Sequence, residues 1–165
     1  MGGARVQTSQ CSRERIACRR TVTVTSSTDQ SGRTTSGWEV FRRHEPLVDS
    51  IEIDSPARPR TLSAALSVGF DSPGRFDVRW SRREYYSYHY QEPDDGLAVR
   101  FDRHPNPHSP ETHFHPPPDA STDRTEPSCI EMVLPKLVTL AMLEAWRYGL
   151  DCEDVSLVNT LDDPP

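Results

Sequence analysis

From Leu47 onward, hydrophobic and polar residues alternate with a period of two, the pattern of strands that bury one face. LVDSIEI (residues 47–53) places Leu47, Ile51 and Ile53 on one side and Ser50 and Glu52 on the other. After a PARPR turn, TLSAALSVGF sets Leu62, Ala64, Leu66, Val68 and Phe70 against Thr61, Ser63, Ala65, Ser67 and Gly69. That second face is small and polar, which leaves room for something to dock on it. A DSPG turn follows, signalled by its proline and glycine. RFDVRWS then alternates Phe76, Val78 and Trp80 with Arg75, Asp77 and Arg79. YYSYHYQ places Tyr86, Tyr88 and Tyr90 opposite Tyr85, Ser87, His89 and Gln91, and LAVRFDR has Leu97, Val99 and Phe101 as its apolar set.

The last two runs predict a hairpin whose register is set to within one alternative, two residues away. A slip of one residue would turn every side chain to the wrong face, so the tyrosines must share a face with Val99 and Phe101. The EPDDG loop then pairs Tyr90 with Val99 and Tyr88 with Phe101. On the polar face, His89 falls opposite Arg100 and Ser87 opposite Asp102.

Residues 103–128 hold seven of the fifteen prolines and four of the six histidines, and are expected to be an irregular loop. Beyond it, Leu134, Leu137, Val138, Ala141, Met142, Ala145 and Tyr148 recur at helical spacing. Ser128 and Glu131 offer a capping-box pattern, whereas Pro135 suits the first helical position if residues 129–134 are extended. Gly149 is the expected stop. A stripe of this width normally covers the apolar face of a sheet. The fold expected is α+β: a meander of about five antiparallel strands with a C-terminal amphipathic helix packed on one face. Residues 38–150 form the single domain. Residues 1–37, rich in Ser, Thr and Arg, read as a disordered tail, with a basic RNA-contacting arm as the sharper reading. Residues 151–165 read as an acidic flexible tail.

Composition adds few constraints. A length of 165 residues and 34% hydrophobic content suit one modest core with unstructured ends. The net charge of −6 argues against a general nucleic-acid binder, although residues 1–46 carry eight Arg against four acidic residues. No apolar run is long enough to span a membrane and no secretory leader opens the chain, so a cytoplasmic protein is expected. The four cysteines are too far apart for a zinc knuckle or a disulfide framework.

The chemistry-bearing residues gather between positions 85 and 115, which hold five of the six histidines and four of the five tyrosines. His104 and His108 are spaced HxxxH, but Pro105 and Pro107 forbid the helix that would bring them together. His113 and His115, spaced HxH, point the same way on an extended segment and form the better pair. Acid–base work by one or two of these imidazoles, metal ligation and purely structural use all stay open, and neither a metal ligand set nor a cofactor is assigned. On the open face, Arg79, Ser87, His89, Arg100 and Asp102 combine phosphate-matching guanidinium groups with an imidazole. A solvated face of weak ion pairs is the plain alternative. Tyr86, Tyr88 and Tyr90 are expected in the core, which leaves Tyr85 as the stacking candidate.

The order YSYHYQ, DDGLAVRFDRHPNPH, THFHPPP resembles the TumE-type toxins of bacterial and archaeal toxin–antitoxin pairs. The likeness covers about residues 47–118 and is specific over residues 86–115. It carries Tyr86, Tyr88, His89 and Gln91 on one strand, Arg100 and Asp102 on the next, and His104, His108, His113 and His115 in the loop. The long N-terminal segment has no counterpart in it. The resemblance implies a small cytosolic toxin directed at RNA, with a DNA-binding antitoxin, of helix-turn-helix type, as partner.

Together these readings point to a toxin acting as a metal-independent endoribonuclease. His89, His104 and His108 are its acid–base candidates and Arg100 its electrostatic one. Arg79, Tyr85, Ser87, Asp102, His113 and His115 are expected to contact substrate. The alternatives are a non-catalytic protein-binding module and a His-ligated metal-dependent hydrolase.

Overall fold

The computed structural model describes residues 37–55, 57–58, 60–81 and 84–162. The expected tail before Gly37, and its reading as an RNA-contacting arm, lie outside the described residues. The elements in chain order are α1 (Gly37–His44), β1 (Val48–Ile53), β2 (Thr61–Leu66), β3 (Arg75–Trp80), β4 (Tyr86–Glu92), β5 (Leu97–Arg103), β6 (Thr112–His115), β7 (Glu126–Pro127) and α2 (Pro135–Asp151), followed by a 3-10 helix, Val155–Asn159. All seven strands join one antiparallel sheet in the order β1 to β7.

The α+β meander expected from the alternation is therefore present, with seven strands rather than five. The two extra strands lie inside the proline-dense segment. Pro110 and Pro116 flank β6 without interrupting it, so its four residues keep their ladder hydrogen bonds to β5. β7 is a two-residue edge strand, where a proline is tolerated.

The β4–β5 register is the one the apolar pattern requires: Tyr90 pairs with Val99, Tyr88 with Phe101, His89 with Arg100 and Ser87 with Asp102. Its greasy side forms the core. Leu62, Ala64, Leu66, Phe76, Val78, Tyr86, Tyr88, Tyr90, Val99, Phe101 and Phe114 are all buried there. Helix α2 covers them with Val138, Ala141, Met142 and Trp146, and α1 adds Val40 and Phe41. Trp146 meets the rings of Phe76 and Tyr90 at centroid separations of 5.6 and 6.0 Å. Polar ends of core aromatics find partners, as burial demands. Tyr88 Oη lies 2.8 Å from Thr139 Oγ1 on α2 and accepts from Trp80 Nε1 at 3.0 Å.

Two buried carboxylates hold the periphery. Glu92 accepts from the backbone N–H groups of Phe70, Asp71 and Ser72 and from Tyr90 Oη. This explains why the alternation that began at Thr61 stops being strand at Leu66: the chain beyond is folded around a carboxylate. Glu45 takes both arms of the Arg147 fork and so clamps α1 to α2.

Pro135 is the first residue of α2, with Leu134 extended ahead of it, so the second of the two helix starts applies. Ser128 does not cap the helix; its Oγ accepts from the Ile130 N–H in a local turn. The helix also passes the expected stop at Gly149 and ends at Asp151. Gly149 has a different use. A Cβ there would fall 2.8 Å from Val158 Cγ1, so its absence lets the 3-10 helix seat Val158 against α2. That 3-10 helix lies within the segment expected as an acidic tail.

Candidate functional site

The sheet face opposite α2 carries the polar half of every alternation, and the strand register arranges it in rows. One row runs Thr61, Arg79, Ser87, Asp102, His113 across β2 to β6. The next runs Ser63, Asp77, His89, Arg100, His115. β6 thus sets an imidazole beside each of the two β5 residues singled out on the open face.

At the β5–β6 end the groups converge on Asp102. Its Oδ2 accepts from Arg100 Nε at 2.9 Å and lies 3.2 Å from His115 Nε2, 3.7 Å from His104 Nε2 and 3.9 Å from His113 Nε2. Asp102, His113 and His115 are only 4%, 0% and 2% exposed, whereas the His104 side chain is 44% exposed. Both buried histidines have their orientation fixed from behind. His113 Nδ1 lies 2.9 Å from the Pro110 carbonyl oxygen and His115 Nδ1 lies 2.8 Å from that of Ser121. A carbonyl only accepts, so each Nδ1 carries the proton and each Nε2 faces the carboxylate. Arg100 Nη2 lies 3.0 Å from His115 Nε2, so the guanidinium bridges acid and imidazole. Burial pushes the His113 pKa below its usual value, against the bond to Pro110 and the charge of Asp102.

Toward β1–β4 the same face opens into a cleft of about 750 Å³, lined in part by Ser63, Asp77, Arg79, Ser87, His89 and Arg100. The small residues of β2 provide its floor space, as their size implied. Asp77 is engaged by Ser63 Oγ, Gln91 Nε2 and Arg75 Nε. Arg79 is exposed and forms no ion pair among the described residues, so its charge is available to a ligand. His89 is half-buried. Desolvation, and secondly the neighbouring Arg100 charge, lower its pKa and keep it a neutral base.

A cleft floored by arginine and histidine, with a buried acid–histidine cluster at one edge, lies within a segment that matches a known family. The family model for Toxin TumE matches residues 39–147. The chain belongs to the TumE toxin family. No curated protein and no solved structure matches the chain. The TumE match spans every site residue from Arg79 to His115, and the family is one of toxins of toxin–antitoxin pairs, which implies an antitoxin partner. Among the described residues, no helix is long and apolar enough to cross a membrane.

The expected site residues of this TumE toxin fall into three places. Arg79, Ser87, His89 and Arg100 share the cleft. Arg100 also belongs to the second group, with Asp102, His104, His113 and His115. His108 and Tyr85 join neither. His108 is exposed in the loop, its N–H donating to Asn106 Oδ1, and Tyr85 precedes β4 outside the cleft lining. Sequence reasoning did not name the carbonyls of Pro110 and Ser121, which aim the two rings. It also missed Glu92, which a strand pattern shows only as the polar residue before a turn.

Proposed function

We propose that this TumE toxin acts on RNA as an endoribonuclease, with the open cleft as its substrate site. The observation that carries this reading is the cross-strand pair of His89 and Arg100 on the cleft floor, with Arg79 one strand away. A phosphodiester seated between the guanidinium groups has its charge offset by both. The neutral His89 imidazole takes the proton from the ribose 2′-hydroxyl, whose oxygen attacks phosphorus. The new O2′–P bond forms as P–O5′ breaks. The departing 5′-oxygen takes a proton from the acidic edge of the cleft, where His104 is the solvent-facing histidine beside Asp102. His108 remains a further acid–base candidate in the adjacent loop. A toxin with this target works in the cytoplasm, and its antitoxin is proposed to be a helix-turn-helix DNA-binding protein.

Induced expression of the full chain in a host cell, following growth and total RNA together, tests the reading. The expected result is arrest with fragmented RNA, abolished in both His89→Ala and Arg100→Ala while the variants stay folded. Arrest with intact RNA moves the target elsewhere and overturns the ribonuclease reading. A well-folded product that causes neither arrest nor cleavage points instead to a non-catalytic module whose open face docks a protein.

A further inference from the structure

We propose that Asp102, His113 and His115 form a binding site for one divalent transition-metal cation, zinc in its simplest form, with a coordination position left open toward His104 and the cleft. The site stands on geometry alone and does not depend on RNA being the target.

Three observations carry it. One ligand atom from each residue, an imidazole nitrogen of either histidine and a carboxylate oxygen, lies within 4.8 Å of the others in a buried setting. Four ligands at zinc distances of about 2.1 Å stand about 3.4 Å apart at the corners of a tetrahedron. Asp102 Oδ2 is 3.2 and 3.9 Å from the two Nε2 atoms. A cation therefore needs only small side-chain rotations to be held.

The second observation is orientation. Both rings bond a backbone carbonyl through Nδ1 and turn Nε2 inward. Metal-ligating histidines are held in the same way: the outer hydrogen bond fixes the tautomer and aims the lone pair.

The third is what the protein leaves unmatched. Asp102 Oδ1 and His113 Nε2 are buried with no hydrogen-bond partner among the described residues. An ion-pair network is the plain alternative, but Arg100 reaches only Oδ2 and His115 Nε2. It covers half of the cluster and leaves its other half uncompensated, where burial is most costly. A small divalent ion engages all three residues together. The Arg100 side chain, 21% exposed, lines the cleft and can turn into it away from Asp102. Three protein ligands and one open position is the arrangement of a catalytic rather than a structural zinc site.

The test uses the tag-free full chain, treated with chelator and then titrated with Zn²⁺ by calorimetry and with Co²⁺ by visible absorption and proton NMR. The expected result is one equivalent bound. The Co²⁺ form should show strongly shifted, exchangeable imidazole N–H signals from at least two histidines. Asp102→Asn should weaken Zn²⁺ binding at least tenfold, and His89→Ala should leave it unchanged. Arg100→Gln should tighten it, because a competing positive charge is removed. Because Asp102 is buried, circular dichroism must accompany that variant. If it unfolds, the wild-type Co²⁺ spectrum and Arg100→Gln decide. Absence of saturable binding, a Co²⁺ form without shifted imidazole N–H signals, or a folded Asp102→Asn that binds like wild type overturns the site. RNA cleavage by a protein that binds no metal would overturn the site and leave the ribonuclease reading intact. Metal binding without cleavage would do the reverse.

Discussion

His115 Nε2 stands 3.2 Å from Asp102 Oδ2, although the strand register pairs His115 with Arg100 and gives Asp102 to His113. The contact is diagonal across the β5–β6 ladder, a reach that long side chains make between neighbouring rows. Because of it, one carboxylate meets three imidazoles and a guanidinium, and the two rows of the open face become a single electrostatic unit.

Part of the pH dependence follows from His89. Its folded-state pKa is lowered from 6.5, so the unfolded chain binds the proton more tightly. Its contribution to stability is complete above about pH 6.5 and is lost as pH falls through that value toward the folded pKa. Urea midpoints should therefore decline below pH 6.5, and less so in His89→Gln. The acidic limb of the cleavage rate should lie below pH 6.5, and the His89 pKa itself, followed by proton NMR, should rise in Arg100→Gln. Only part of the lowering should disappear, since burial is the larger cause.

Glu92 is the residue whose loss should cost most stability for its size. Replacement by Ala strands three backbone donors and the Tyr90 hydroxyl around a void. A loss of about 3 kcal/mol or more is expected, read from denaturant unfolding. Glu92→Gln keeps the volume and one acceptor and should fall roughly midway.

Tyr88→Phe removes the hydroxyl that ties Trp80 on β3 to Thr139 on α2. It should destabilise by about 1–3 kcal/mol, since it leaves the Trp80 N–H without its acceptor. Trp80→Phe added to it should cost much less than the two single changes summed, measurable as a double-mutant cycle.

Arg79→Ala should leave the unfolding free energy within about 0.5 kcal/mol of wild type, because the side chain is exposed and forms no ion pair among the described residues. On the proposed reading it should raise KM for RNA about tenfold and flatten the salt dependence of binding. An unchanged KM would remove Arg79 from the substrate site.

His104→Ala separates the two histidine environments. With its side chain nearly half exposed, it should alter stability by less than about 0.5 kcal/mol while lowering kcat about a hundredfold. His108→Ala, in the exposed loop, measures what that histidine adds by comparison.

The period-two alternation by itself determined which residues face the core, the tyrosine–arginine hairpin register and the open polar face. The 3.6-residue stripe determined the covering helix. These are local patterns: a one-residue slip would expose each strand's buried set, and the EPDDG loop length chooses among the registers that keep it buried. The tertiary structure alone decided that the histidine loop contributes two more strands. Four residues between prolines have too little intrinsic preference to be read as a strand; they become one because the β5 edge offers an unpaired ladder. That pairing brings His113 and His115 to Asp102, and the Pro110 and Ser121 carbonyls then turn both rings inward. HxH in the sequence says only that two imidazoles share a side. What they share it with depends on contacts between chain segments ten or more residues apart, and the free energy of burying those contacts is a property of the folded whole.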